Sequence, residues 1–399
     1  MRPPLDGIRV LDLTTFLSGP FCTQILADLG AEVVKLEPPD GDASRHIPPY
    51  FVDGDSAYYL AHNRNKRSIA VDLKTAGGLR VARELIARSD VVVENFRPGV
   101  AARLGLDPVA LRAGQRGLIW ASISGFGQHG PRRDRPAYDI VVQALSGVMS
   151  LTGVAGDPAM RLGVPAGDLV GGMYAAMAVL AALAARERTG EGRIADISML
   201  DGQLSLLSYQ AVYATVGGIT PQPQGSRHDS IPTYRSFTAR DGREFVVAAN
   251  TDRMWRELCA VLEVPELTAD PRFADGRSRL RHQDDLSPLL EKAVGARDAA
   301  DWVAALVPRS VPAALIETVP EALADARDAG RDMVVPVTSP SGRVVQTLAT
   351  PIRYEGSVPP EPRYPPRLGQ DAAEILTELG YSPEAVAELV AVGAVTTTG

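Results

Sequence analysis

Short apolar runs and longer stretches with helical spacing alternate through the first half of this chain. Residues 8–13 (IRVLDL), 32–37 (EVVKLE), 69–74 (IAVDLK), 91–94 (VVVE), 118–123 (LIWASI) and 193–198 (RIADIS) read as strands. Between them, 21–29 and 77–88 place apolar residues at the spacing of a helix face. Gly30 stops the first of these helices. Strands that alternate with helices in this way predict an α/β fold built on a doubly wound parallel sheet.

The most apolar stretch runs from 161 to 192, RLGVPAGDLVGGMYAAMAVLAALAARERTGEG. Its pattern predicts a helix over about 169–188, stopped by Gly190 and Gly192, and apolar on every side as a buried core helix is. Its alanines and the Gly171-Gly172 pair fit a core helix better than a membrane span. Asp168 stands at its start, directly after Gly167. Two roles are open to it. As an N-cap it would accept hydrogen bonds from first-turn amides, worth about 1 kcal/mol. As a nucleophile it would attack an acyl carbon and form a covalent intermediate.

The pattern changes after residue 216. A Gly/Pro/Gln-rich linker leads to a hairpin over 233–250, turning at Asp241-Gly242, and then to helices as far as about 326. A second hairpin turns at Ser341-Gly342, a Pro-rich stretch covers 356–367, and 370–392 reads as a last helical pair. The division expected is a large α/β domain over 1–216, a linker and smaller α+β domain over 217–330, and a return segment over 331–399. The last helices would pack back on the large domain.

Composition narrows the function. At 45% hydrophobic and 22% charged, the chain has ordinary globular usage, and its net charge of −7 argues against a nucleic-acid partner. Cys22 and Cys259 lack metal-ligand spacing, so neither a zinc site nor a disulfide framework is expected. The turn after the first strand has no G-x-G-x-x-G, which removes the signature of NAD or flavin binding. With no signal-peptide pattern and no membrane span, a cytoplasmic location is the expectation. Ligands of such sheets bind at the carboxyl ends of the strands. The loops near 16–20, 71–74, 95–97 and 124–139 are therefore expected to converge with Asp168 on one edge. The cations of 63–68, NRNKRS, are either a solvated turn or a phosphate site.

Six stretches in this order and spacing carry a resemblance: LDGIRVLDLT with SGPFCTQILADLGAEVVKLEPP, NRNKRSIAVDLK, ENFRPG, SGFGQHGP, AGDLVGG and TGEGR. Together they resemble the family III CoA-transferases of the formyl-CoA transferase type. That resemblance implies coenzyme A, as acyl-CoA, for a substrate, and an interlocked homodimer in which each chain threads the other. It implies a nucleophilic Asp168, with Leu17 and Ser18 beside the thioester and Val71, Asp72, Leu73 and Lys74 along the CoA. Asn95, Phe96, Arg97 and Arg103 would hold the nucleotide end, and Tyr138 and Asp139 would border the reaction centre. The chain departs from that type in having Leu17 for a glutamine and Pro38 for a basic residue. It also has GSRHDS over 225–230 where that type has a run of glycines. This segment looks like the branch that acts on succinyl-type thioesters and small dicarboxylates. Arg227, with His228, is then a candidate carboxylate partner, or else a solvated linker cation. An α-methylacyl-CoA racemase on the same fold is the alternative; it would need a base where Tyr138 stands, and tyrosine is a poor base at neutral pH. A CoA-binding protein without catalysis would keep the basic loops but have no need of Asp168.

Overall fold

The computed structural model describes residues 1–397. Its centre is a seven-stranded sheet: β1 (Arg9–Asp12), β2 (Glu32–Glu37), β3 (Lys66–Val71), β4 (Val91–Glu94), β5 (Ile119–Ser124), β6 (Ile194–Ser198) and β7 (Val395–Thr396). The strand order is β7-β3-β2-β1-β4-β5-β6. All neighbours run parallel except β7, which pairs antiparallel with Val71 and Ala70. Mixed α/β architecture with a mostly parallel sheet is thus what the alternating pattern predicts. The chain builds outward from β1 in one direction and then, from β4, in the other. The loops after β1 and β4 therefore diverge at a switch point, the place where such sheets bind their ligands.

Both faces of the sheet are covered. Val10, Val33, Val91, Val93 and Ile123 point into one core with Cys22, Leu26, Ala175 and Val179. Leu11, Leu36, Ile69, Val92 and Trp120 point into the other, with Val81, Ile375 and Leu376. Alternate residues of one strand feed opposite cores, as the pleat requires.

Helix Ala166–Thr189 begins three residues earlier than its apolar pattern predicts. It packs on helix Ser18–Asp28 and on β5. Gly172 permits that approach, since a Cβ there would lie 2.5 Å from the Ser18 carbonyl oxygen and 3.1 Å from the Phe21 ring. The all-round burial expected from its composition does not hold. Met173, Tyr174 and Met177 form an exposed apolar stripe, because the sheet and its neighbouring helices cover only one side.

Strand β3 also starts three residues earlier than expected, at Lys66. The cations just before and within it are buried rather than offered to a ligand. Arg64 pairs with Asp28, Lys66 Nζ lies 2.9 Å from Asp12 Oδ2, and Arg67 reaches Glu32 and Glu378. The phosphate-site reading of 63–68 is therefore corrected: these charges are taken up by internal carboxylates.

The chain divides into two compact units. One comprises Met1–Met149, Arg161–Ile219 and the segment from Ala329 onward; the other comprises Ser150–Met160 and Thr220–Asp328. The smaller unit holds a three-stranded antiparallel sheet, Tyr234–Thr238, Glu244–Ala248 and Ala313–Leu315. Phe237, Phe245, Trp255, Leu290 and Trp302 fill its core.

Candidate active site

Asp12 ends β1 fully buried, accepting from the Thr14 amide at 2.9 Å, from Thr23 Oγ1 at 2.6 Å and from Lys66 Nζ. These donors hold its carboxyl well below the usual carboxylate range against the opposing effect of burial. The chain then crosses the switch point as Thr14 to Leu17 and enters helix Ser18–Asp28. Asn95, just past β4, clasps this crossing: its Oδ1 accepts from the Thr15 amide at 2.9 Å, and its Nδ2 donates to the Thr15 carbonyl at 2.8 Å. Its Nδ2 also lies 3.5 Å from Ser18 Oγ. Phe16 sits between these anchors with φ of 63°, a left-handed conformation costing a bulky residue about 1–3 kcal/mol.

Asp168 occupies the first turn of helix Ala166–Thr189, and Pro165 holds the cap position without a side-chain bond. The N-cap role considered for Asp168 is therefore corrected. Asp139 supplies the cap from another helix: its Oδ1 accepts from the Gly167 amide at 2.7 Å and faces the Asp168 amide at 3.4 Å. Gly167 is accordingly not a free oxyanion donor. Asp168 is left with its carboxyl partly buried, beside the Ser18 hydroxyl. Its pKa is pushed up to about 7, first by burial and next by the Asp139 carboxylate, with hydrogen bonding from Ser18 opposing. A carboxyl so perturbed, next to the switch point of the sheet, is a candidate functional position.

Tyr58 belongs to the same cluster, although no motif in the sequence singles it out. Burial and the carboxylates of Asp168, Asp139 and Asp42 push its phenol up to about 12. It lies in a single helical turn, Ala57–Leu60, capped by Ser56, inside the Pro- and Gly-rich excursion after β2. Glu94 is a second addition. Its Oε2 accepts from the Phe96 amide at 2.8 Å, and burial pushes its pKa up to about 7 against hydrogen bonds that include Ser122.

The other residues named from sequence fall into three groups. Leu17 is buried beside Ser18, and Tyr138 is exposed with its ring edge-on to Phe16 at 6.2 Å. Val71 and Phe96 pack into or against the sheet core, as does Leu73. Asp72 accepts from the Lys74 amide at 2.9 Å, while the Lys74 side chain is exposed on the same sheet edge. Arg97 and Arg103 are exposed beyond β4. A Cβ on Gly99 would lie 3.2 Å from Arg103 Nη1 and 3.5 Å from Arg133 Nη2, so Arg133 joins this basic group from the loop after β5. Arg227 and His228 belong to the smaller unit, where the His228 ring packs edge-on to Tyr234 at 5.4 Å and its Nδ1 accepts from the Ser230 amide.

Residues 5–372 match the family described as CoA-transferase family III. The chain belongs to that family. It is 39% identical over 387 residues to the acetyl-CoA:oxalate CoA-transferase of Acetobacter aceti, covering 96% of this chain and 97% of that one. It is 37% identical over 385 residues to the succinate–glutarate CoA-transferase of Agrobacterium fabrum, covering 95% and 96%. A solved CaiB/BaiF family protein from Brucella suis superimposes with a TM-score of 0.86 at 36% identity, covering 95% of this chain and 100% of that one. This protein is thus a family III CoA-transferase, an enzyme whose substrates include CoA thioesters. The transferase reading of the sequence holds over the isomerase one.

Proposed function

We propose that this CoA-transferase moves CoA from an acyl-CoA thioester to a small dicarboxylate through covalent intermediates on Asp168. The observation that carries the reading is the Asp168 carboxyl, held beside Ser18 at the switch point and backed by Asp139. The ionised carboxylate attacks the thioester carbonyl and expels CoA thiolate, leaving an aspartyl mixed anhydride. The thiolate then attacks the aspartyl carbonyl, releasing the donor acid and forming an aspartyl-CoA thioester. The acceptor carboxylate attacks that thioester, and CoA thiolate leaves a second mixed anhydride. Attack of the thiolate on the acceptor's acyl carbon yields the new acyl-CoA and frees Asp168.

The Ser18 hydroxyl and the Tyr58 phenol supply donors near the charge that develops in these steps. The CoA would run past Val71 to Lys74, its nucleotide end near Arg97 and Arg103, while Asn95, with Phe96 behind it, would lie toward the thioester end, since its Nδ2 is 3.5 Å from Ser18 Oγ. Relatives named for oxalate and glutarate support a dicarboxylate acceptor, for which Arg227 and His228 are the proposed contacts. A homodimer, interlocked as the family resemblance implies, would cover the exposed Met173, Tyr174 and Met177. The strand order supports a Rossmann-like large domain. We test the mechanism by incubating the enzyme with acyl-CoA and then hydroxylamine, which should trap the aspartyl thioester and inactivate it. Asp168→Asn should abolish transfer with CoA affinity unchanged within a few-fold. Appreciable turnover by that variant would refute the covalent route.

A further inference from the structure

Beneath the crossing from β1 lies a group of buried ions that takes no part in the steps above. Lys35, on β2, is fully buried; its Nζ lies 3.0 Å from Asp42 Oδ2 and donates to the Thr14 carbonyl at 2.7 Å. Asp42 is also fully buried, and its Oδ1 accepts from the Phe16 amide at 3.1 Å and the Ser44 amide at 2.9 Å. Its own amide donates to Glu37 Oε2 at 3.0 Å, and Arg45 locks Glu37 from the other side. Such pairs are weak evidence for stability, since apolar residues of similar volume often serve as well. These ions do something an apolar core would not: they present a fixed acceptor to Phe16 and a fixed donor to Thr14. Both contacts fall on the segment whose next residues are Leu17 and Ser18.

We propose that Asp42, backed by Lys35, is a positioning residue for the transfer reaction, fixing the left-handed Phe16 so that Ser18 is aimed at the Asp168 carboxyl. The Asp42 bond and the Asn95 clasp together grip the Thr15–Phe16 peptide, on the N-terminal side of Phe16, whose conformation is otherwise disfavoured. With the Phe16 amide released, the residue is free to relax toward ordinary backbone, and the turn entering helix Ser18–Asp28 moves with it. The inference rests on Asp168 being the nucleophile.

A direction of change separates this role from the alternatives. The groups facing Asp168 are Ser18, Asp139 and Tyr58. Loss of the Ser18 hydrogen bond raises the pKa of Asp168, because that bond favours the charged form. Removing the negative charge of Asp42 through space acts in the opposite direction. Damage that is only structural lowers the amount of active enzyme and leaves the pH profile where it was.

The experiment compares wild type, Asp42→Asn, Ser18→Ala and the double variant. It measures kcat against pH, KM, and the Kd for free CoA. For Asp42→Asn we expect kcat to fall about tenfold, the acid limb of kcat to move to higher pH as in Ser18→Ala, and the CoA Kd to stay within about threefold. The double variant should be within about twofold of Ser18→Ala, because both changes act through one hydroxyl. Additive losses, or a limb that stays in place or moves to lower pH, would overturn the proposal. If Asp42→Asn does not fold, Phe16→Val gives the same reading, because a β-branched side chain disfavours the left-handed conformation further. It should lower kcat and raise the limb while CoA affinity is kept; kcat within twofold and an unmoved limb would refute it. A wild type that forms no hydroxylamine-trapped adduct removes the nucleophile reading itself. A wild type that forms it, with variants that fail these expectations, removes only the role of Asp42.

Discussion

The Gly167 amide donates to Asp139 Oδ1 over 2.7 Å, and the Asp168 amide faces the same oxygen at 3.4 Å. One carboxylate therefore caps the central helix and sits against the carboxyl that follows. The cap orients Asp168, while the like charge makes its ionisation harder.

A pH dependence follows. In the proposed mechanism Asp168 has to be ionised to attack, and its pKa is pushed up to about 7 by burial and by Asp139. The rate should therefore rise with pH through an acid limb near 7. Asp139→Asn removes the negative neighbour but keeps an oxygen able to cap, so the limb should move to lower pH with little loss of stability. Asp139→Ala should in addition cost about 1 kcal/mol of stability as the cap is lost. Profiles of kcat/KM between pH 5 and 9 check both. A wild-type limb at ordinary carboxylate values would show that burial and Asp139 do not raise the pKa of Asp168.

The basic group beyond β4 gives a second expectation. Among the described residues Arg97 and Arg103 form no ion pair, and Arg133 has only its sequence neighbour Asp134, at 3.6 Å. An anion entering between Arg103 and Arg133 would relieve their mutual repulsion. Contacts with the remote phosphates of CoA act alike in ground and transition states. Lys74→Ala, Arg97→Ala, Arg103→Ala and Arg133→Ala should each raise KM for acyl-CoA several-fold, with kcat changed less than about twofold. The effect should shrink at high salt. An unchanged KM in all four would reduce them to ordinary surface charge.

Much of the fold is written in local pattern. Strands β2 and β4 lie where their apolar runs predict, because each is a short run closed at both ends by turn residues. Two of the shifted boundaries have non-local causes. Strand β3 gains Lys66 and Arg67 because their partners are Asp12, Glu32 and Glu378, far along the chain. The central helix gains its first turn because Asp139, 28 residues upstream, caps it. The same reason hides Tyr58 and Asp42. Each lies in an irregular stretch whose period says nothing, and each matters through where the sheet brings it. By contrast Ser18, Asn95 and Asp168 follow a strand end or open a helix, which is where a doubly wound sheet gathers its ligands.

Helix contact at Gly172 is a sharp mechanical test. A methyl group there would meet the Ser18 carbonyl at 2.5 Å, the Phe21 ring at 3.1 Å and the Cys22 amide at 3.4 Å. Backbone atoms cannot rotate away, so Gly172→Ala must part the two helices. Overpacking of this kind costs about 1–3 kcal/mol. Because Ser18 rides on the displaced helix, kcat should fall as well, with a smaller change in CoA affinity. Thermal melts and steady-state kinetics read both effects. A variant with unaltered melting temperature and kcat would mean that the two helices do not touch there.

Acceptor choice is the remaining expectation. Leu17 is buried beside Ser18; in the proposed site it would offer the acyl group no polar partner, so charge for a second carboxylate has to come from elsewhere. Arg227 is the proposed source; its amide donates to the Gln224 carbonyl, which ties its backbone into a local turn. A guanidinium can hold a carboxylate through two parallel hydrogen bonds. Hydrogen bonds to charged groups are worth about 1.5–3 kcal/mol, so one such contact favours a dicarboxylate by about tenfold to a hundredfold. In a competition between succinate and acetate for one donor thioester, the wild type should form succinyl-CoA in that excess. Arg227→Ala should bring the two products close to parity while total transfer from a monocarboxylate acceptor persists. Equal use of both acids by the wild type would refute the dicarboxylate preference and leave the transferase chemistry at Asp168 untouched.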